Sequence, residues 1–169
     1  LSTASYDNKS FVTSNQSGSP REVHFNTNGT KMYVLSDQTD KIWEYDLSTA
    51  FDVSTASYNS SQFSVSSQLG GAQGFCFNPD GQKMYVVGEN NDTVYQYNLS
   101  TNFDITTTTY TGNSFSIGGQ QGIAGTVLFN NNGYKMFICG ESEDYVRQYT
   151  LTTPYNVSTA SVASGDLDH

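Results

Sequence analysis

Acidic side chains recur at one register of this sequence. Asp40, Asp92 and Asp144 stand 52 residues apart, each closing a short polar stretch: Asp37-Gln38-Thr39-Asp40, Glu89-Asn90-Asn91-Asp92 and Glu141-Ser142-Glu143-Asp144. Carboxylates grouped in this way could coordinate Ca²⁺, which takes several oxygen ligands. No EF-hand spacing is present, and a turn aspartate accepting nearby backbone N–H groups accounts for the recurrence as well. His24 is the single histidine outside the tail and sits between Val23 and Phe25. On a strand it points away from that apolar pair, toward a channel or a ligand. It has no identifiable Ser or Cys partner for a nucleophilic triad. Trp43, Tyr95 and Arg147 share another register, where two aromatics and a guanidinium could stack on sugar rings or meet a partner. Cys76 and Cys139 lack CxxC neighbours, so they read as two buried free thiols rather than a zinc site or a disulfide. Lys31, Lys83 and Lys135 each follow a glycine turn. An exposed amine there has nothing to lower its pKa, so a hairpin-flanking cation is the simpler reading.

Composition narrows the partners. With 7 Lys+Arg against 16 Asp+Glu the formal charge is -9, so no basic stripe exists to neutralise nucleic-acid phosphates. No apolar run is long enough for a membrane-spanning helix, and neither nucleic-acid binding nor membrane insertion is expected. Ser, Thr and Asn make up 56 of the 169 residues, beside 12 Tyr and 15 Gly. That mixture favours strands and turns over helices and suits an extracellular or virion-associated surface.

These residues are carried by a repeat. Lys31-Met32-Tyr33 returns as Lys83-Met84-Tyr85 and Lys135-Met136-Phe137, and residues 53–104 match 105–156 without a gap at 20 identical positions. The chain divides into a three-unit segment, 1–156 (units 1–52, 53–104 and 105–156), followed by a partial repeat and tail, 157–169. Within each unit, Val23/Phe25, Phe75/Phe77 and Val127/Phe129 have the period-two spacing of one strand face. A glycine-bearing turn follows at Gly29, Gly81 or Gly133, then a second strand (KMYVLS, KMYVVG, KMFICG) and a third (KIWEYDL, TVYQYNL, YVRQYTL). A fourth strand is anchored by Phe11, Phe63 and Phe115, the first of these placing an outer strand at residues 4–13. No window has a helical apolar period. Phe25, Phe77 and Phe129, with Tyr45, Tyr97 and Tyr149, are the expected packing residues between units.

Four antiparallel strands per unit make the expected fold all-β: a β-propeller with three four-stranded blades per chain. The run FxFNPDGxKMYVVGxxxDTVYQYxL, at Phe75 to Leu99, resembles the YVTN-type and related NHL-like propeller repeats. The resemblance extends over all three units, although only the middle one keeps Asn78-Pro79-Asp80-Gly81 intact. It implies blade architecture. Enzymes similar to this repeat use channel-mouth carboxylates or histidines around a metal, and here no acidic pair stands out on a first strand.

Three blades leave two apolar faces open, so a homodimer closing six blades is the expected assembly. The expected function is a non-catalytic scaffold for binding or structural display, not an enzyme, with a carbohydrate or surface protein as partner. A lectin-like propeller and a lactonase-like or other metal-dependent hydrolase are the alternatives. No cofactor is expected beyond the Ca²⁺ that the acidic turns could take.

Overall fold

The computed structural model describes residues 3–118, 124–140 and 145–162. Its strands form three four-stranded antiparallel meanders, each sheet pairing in chain order. Blade 1 holds β1 (Pro20–Phe25), β2 (Lys31–Ser36), β3 (Lys41–Leu47) and β4 (Ala56–Ser64). Blade 2 holds β5 (Ala72–Phe77), β6 (Lys83–Gly88), β7 (Thr93–Leu99) and β8 (Thr108–Ser116), and blade 3 holds β9 (Ala124–Phe129), β10 (Lys135–Gly140), β11 (Val146–Leu151) and β12 (Ala160–Val162). Helical structure among the described residues is confined to single 3-10 turns at Val53–Thr55, Ile105–Thr107 and Val157–Thr159. Asp52, Asp104 and Asn156 begin these turns, each side chain accepting the backbone N–H two residues on, a local bond open to short polar side chains.

The first hairpin of every blade is built alike. The Asn26, Asn78 and Asn130 side-chain carbonyls accept the N–H of Lys31, Lys83 and Lys135. Gly81 turns the chain at a φ of +71°, and a Cβ there would lie 2.3 Å from the Phe103 ring. Phe103 itself takes a left-handed φ of 60°, a strained setting for an aromatic residue. It is held there by its N–H donating to the Gly81 carbonyl at 2.9 Å. Phe51 over Gly29 and Tyr155 over Gly133 repeat the arrangement.

Blades pack face to face. Tyr33, Leu35 and Ile42 of blade 1 enter a core with Phe75, Met84, Val86, Tyr97 and Leu99 of blade 2. Tyr85, Val87 and Val94 of blade 2 do the same with Val127, Met136, Ile138, Tyr149 and Leu151 of blade 3. A phenol locks each junction. Tyr33 Oη donates to the Phe103 carbonyl at 2.5 Å and Tyr85 Oη to the Tyr155 carbonyl at 2.7 Å, and burial pushes both phenols well above the usual tyrosine range. The Phe77 ring meets Tyr33 at 4.9 Å, Phe129 meets Tyr85 at 4.3 Å, and Phe25 meets Phe51 at 5.7 Å. Tyr45, Tyr97 and Tyr149 are buried, covered edge-on by Phe11, Phe63 and Phe115 at 5.0, 5.4 and 5.3 Å.

Two expectations are corrected. Residues 4–13 place Phe11 on Tyr45 as Phe63 sits on Tyr97, yet they form no strand, since the third strands of blades 1 and 2 are already paired by β4 and β8. Cys76 is buried, but Cys139 is exposed because its face of blade 3 has no blade against it. The tail 163–169 lies outside the described residues.

Candidate functional site

The first strands of the blades, β1, β5 and β9, approach one another and form the hub. Their register puts Glu22, Gly74 and Thr126 at equivalent positions. Only Gly fits the middle one: a Cβ on Gly74 would lie 2.5 Å from the Gly125 carbonyl and 2.8 Å from Thr126 Cα. That close approach lets the Glu22 carboxylate cross from blade 1 to both other blades. Glu22 Oε2 accepts the Phe75 N–H at 2.6 Å. Its Oε1 accepts from Thr126 Oγ1 at 3.3 Å and lies 3.3 Å from His24 Nε2. One half-buried carboxylate thus ties three inner strands and holds an imidazole, a charge-assisted set of bonds that offsets its desolvation.

His24 shares the Glu22 face of β1, two residues along. Its ring stands edge-on to Phe75 at 4.8 Å, wedged between blades 1 and 2 and still partly open to solvent. A carboxylate on Nε2 selects the tautomer with the proton there, leaving a lone pair on Nδ1. A carboxylate-oriented imidazole of this kind can take a proton from water.

The other candidates lie elsewhere. Trp43, Tyr95 and Arg147 occupy third strands of three different blades and pack within their own blade. Trp43 meets Tyr58 at 5.7 Å with Lys41 Nζ 5.2 Å from its ring centre, and Tyr95 meets Tyr110 at 6.1 Å. The Arg147 guanidinium lies 5.2 Å from the Tyr145 ring centre. None of the three reaches His24 on the inner strand. Asp40 and Asp92 both take left-handed backbone at the turns. Asp40 Oδ1 accepts the Ala72 N–H at 3.0 Å, so it reaches across to blade 2 instead of bonding within its own turn. Asp144 lies outside the described residues. Among the described residues no three His, Cys, Asp or Glu side chains come together as a metal site. Lys31 donates to the buried Glu44 carboxylate and lies 3.5 Å from Asp46. Burial works against its charge, but these two acids outweigh it and hold its pKa above the ordinary lysine value.

Glu22 is the hub residue that repeat reasoning passes over, because Gly74 and Thr126 stand at its two equivalent positions. Its signal is local: an acid two residues before a histidine on one strand faces the same way.

No family model and no curated protein sequence matches the chain. Solved structures match it in fold. The chain aligns with a candidate 6-phosphogluconolactonase from Bacteroides fragilis at a TM-score of 0.61 and 14% identity, covering 88% of this chain and 39% of that one. It aligns with the periplasmic gluconolactonase of Pseudomonas aeruginosa at 0.59 and 11% identity, covering 85% and 37%. The Cps50 (Swd1) β-propeller domain from Myceliophteria thermophila gives 0.53 and 14% identity, covering 79% and 40%. The chain spans about two fifths of the length of the structures it resembles.

The class is therefore a β-propeller, of which this chain is a half-propeller of three blades. The expectations of a non-catalytic display scaffold and of no enzyme are corrected here. The finding behind this is that two neighbours in fold are named as lactonases. No helix among the described residues is long and apolar enough to cross a membrane.

Proposed function

We propose that these blades, of the YVTN/NHL-like kind, belong to a hydrolase that opens small sugar lactones, with Glu22 and His24 at the hub as its working pair. The observation that carries this reading is the Glu22–His24 contact of 3.3 Å at the meeting point of three inner strands. The two lactonases similar in fold supply the substrate class. In the reaction, His24 Nδ1 takes a proton from a water as the water oxygen bonds to the lactone carbonyl carbon. The tetrahedral oxyanion then collapses, the ring C–O bond breaks, and the leaving alkoxide oxygen takes the proton back from the imidazolium. The product is the open hydroxy acid. Glu22 stabilises the imidazolium and fixes its orientation, as a positioning residue. These steps use His24, Glu22 and water alone.

The test is ring opening of glucono-1,5-lactone by the 169-residue chain, followed as acid release against the spontaneous rate. General-base assistance predicts acceleration of at least ~100-fold. His24→Gln should return the rate to background, and Glu22→Gln should lower kcat more than it changes KM. A rate equal to buffer, or a fully active His24→Gln protein, overturns the reading.

A further inference from the structure

The three blades use one packing code, and at the two ends of the chain that code is half used. Each junction inserts a projecting set from one blade into a receiving face on the next: Tyr33, Leu35 and Ile42 into blade 2, then Tyr85, Val87 and Val94 into blade 3. Blade 3 carries the same projecting set as Phe137, Cys139 and Val146. Val146 is 70% exposed where Ile42 and Val94 are fully buried, and Leu128, paired with Phe137, is 48% exposed. Blade 1 carries the matching receiving face. There Phe11, Val23, Met32, Val34 and Val53 line an apolar hollow of about 270 Å³, at the place where blade 2 accepts the projecting residues of blade 1.

The fourth-strand anchors follow the same register. In blades 1 and 2 the third strand is paired opposite Ile42 by Phe63 and opposite Val94 by Phe115. In blade 3 the described pairs of β12 with β11 run from Leu151 to Tyr149. Phe11, 52 residues before Phe63, is seated on Tyr45 of blade 1 as Phe63 is on Tyr97 of blade 2.

We propose that the occupant of each open face is a second copy of this chain: the Phe137–Cys139–Val146 face of one copy seats in the Phe11–Val23–Val34 hollow of the other, and the reverse contact closes the pair. Two copies related by a twofold axis form both contacts at once, and the exposed apolar residues leave water. Arg21 and Glu22 also line the hollow, so the interface adjoins the hub pair; its test reads mass rather than turnover, and the two readings fail separately.

Molar mass in solution tests it. The full chain should weigh about 37 kDa, twice its 18.5 kDa, and Val146→Glu and Val23→Glu, both at exposed positions, should each return it to 18.5 kDa with an unchanged strand spectrum. Cys139 should react with a thiol reagent about tenfold slower in the wild type than in Val146→Glu, because pairing shields it. Phe137→Tyr restores the phenol that the two internal junctions use and should tighten the pair about fivefold, the value of one net hydrogen bond. A wild-type mass of 18.5 kDa with fast-reacting Cys139 overturns the proposal, as does a three-copy or open-ended assembly.

Discussion

The junction between blades 1 and 2 and the open face of blade 3 are made from the same repeat positions, yet they behave as different materials. Leu35 and Val87 are buried, while Cys139, their counterpart, is exposed. Tyr33 and Tyr85 each carry a hydroxyl that crosses to the next blade, and Phe137 at that position has none. Burial in this fold belongs to the pairing of two faces, not to a position in the repeat. A strand pattern specifies that a side chain turns to a face; only the neighbour decides whether that face is dry.

Substitutions can break or sharpen this contrast. The largest effect is expected at the hub, where Gly74→Ala drives a Cβ against backbone atoms of blade 3 that cannot swing away. A loss of about 4 kcal/mol, seen as a lowered denaturant midpoint or failure to fold, is expected from such overpacking. Next comes the paired comparison of Ile42→Ala with Val146→Ala, measured by denaturation at high dilution. The buried position should cost about 3 kcal/mol through lost contact and a cavity, and the exposed one within about 0.5 kcal/mol. Equal losses would mean that the blade 3 face is already covered within the single chain. Tyr85→Phe is smaller, about 1 kcal/mol for the single bond to the Tyr155 carbonyl. Blade 3 shows that phenylalanine fits this repeat position.

Alkaline pH gives a graded version of the same contrast. Burial, aided by the neighbouring Tyr58, pushes the Tyr45 phenol up to about 12 from 10.0, and Tyr33, Tyr85 and Tyr97 are also raised by burial. The folded chain holds these protons more tightly than the unfolded one. Their contribution is therefore complete below pH 10.0 and is lost as pH climbs toward about 12 and beyond. Denaturant midpoints should stay level up to that window and fall within it. A midpoint that rises there would contradict the assignment of buried neutral phenols.

The architecture was open to inspection in the sequence because its signals are local. The Asn-x-x-Gly turns, the period-two pairs and the spacing of Lys31, Lys83 and Lys135 act within one hairpin and recur three times. Phe63 and Phe115 marked fourth strands correctly for the same reason. Phe11 did not become one, since a strand needs a partner as well as a pattern. The hub was hidden because it breaks the repeat: Glu22 matters through its contact with Phe75 and Thr126, residues that the chain brings together only when three blades converge. The recurring Asp register is equally legible, but the reach of Asp40 Oδ1 to the Ala72 backbone N–H of the next blade is not.

The hub pair is tested most directly by the ¹⁵N spectrum of the His24 ring in the folded chain at mildly alkaline pH. A protonated Nε2 facing Glu22 and an unprotonated Nδ1 are predicted, with the signal changing in Glu22→Gln. The opposite tautomer, or a ring unaffected by that substitution, would contradict a carboxylate-held base at the centre of the blades.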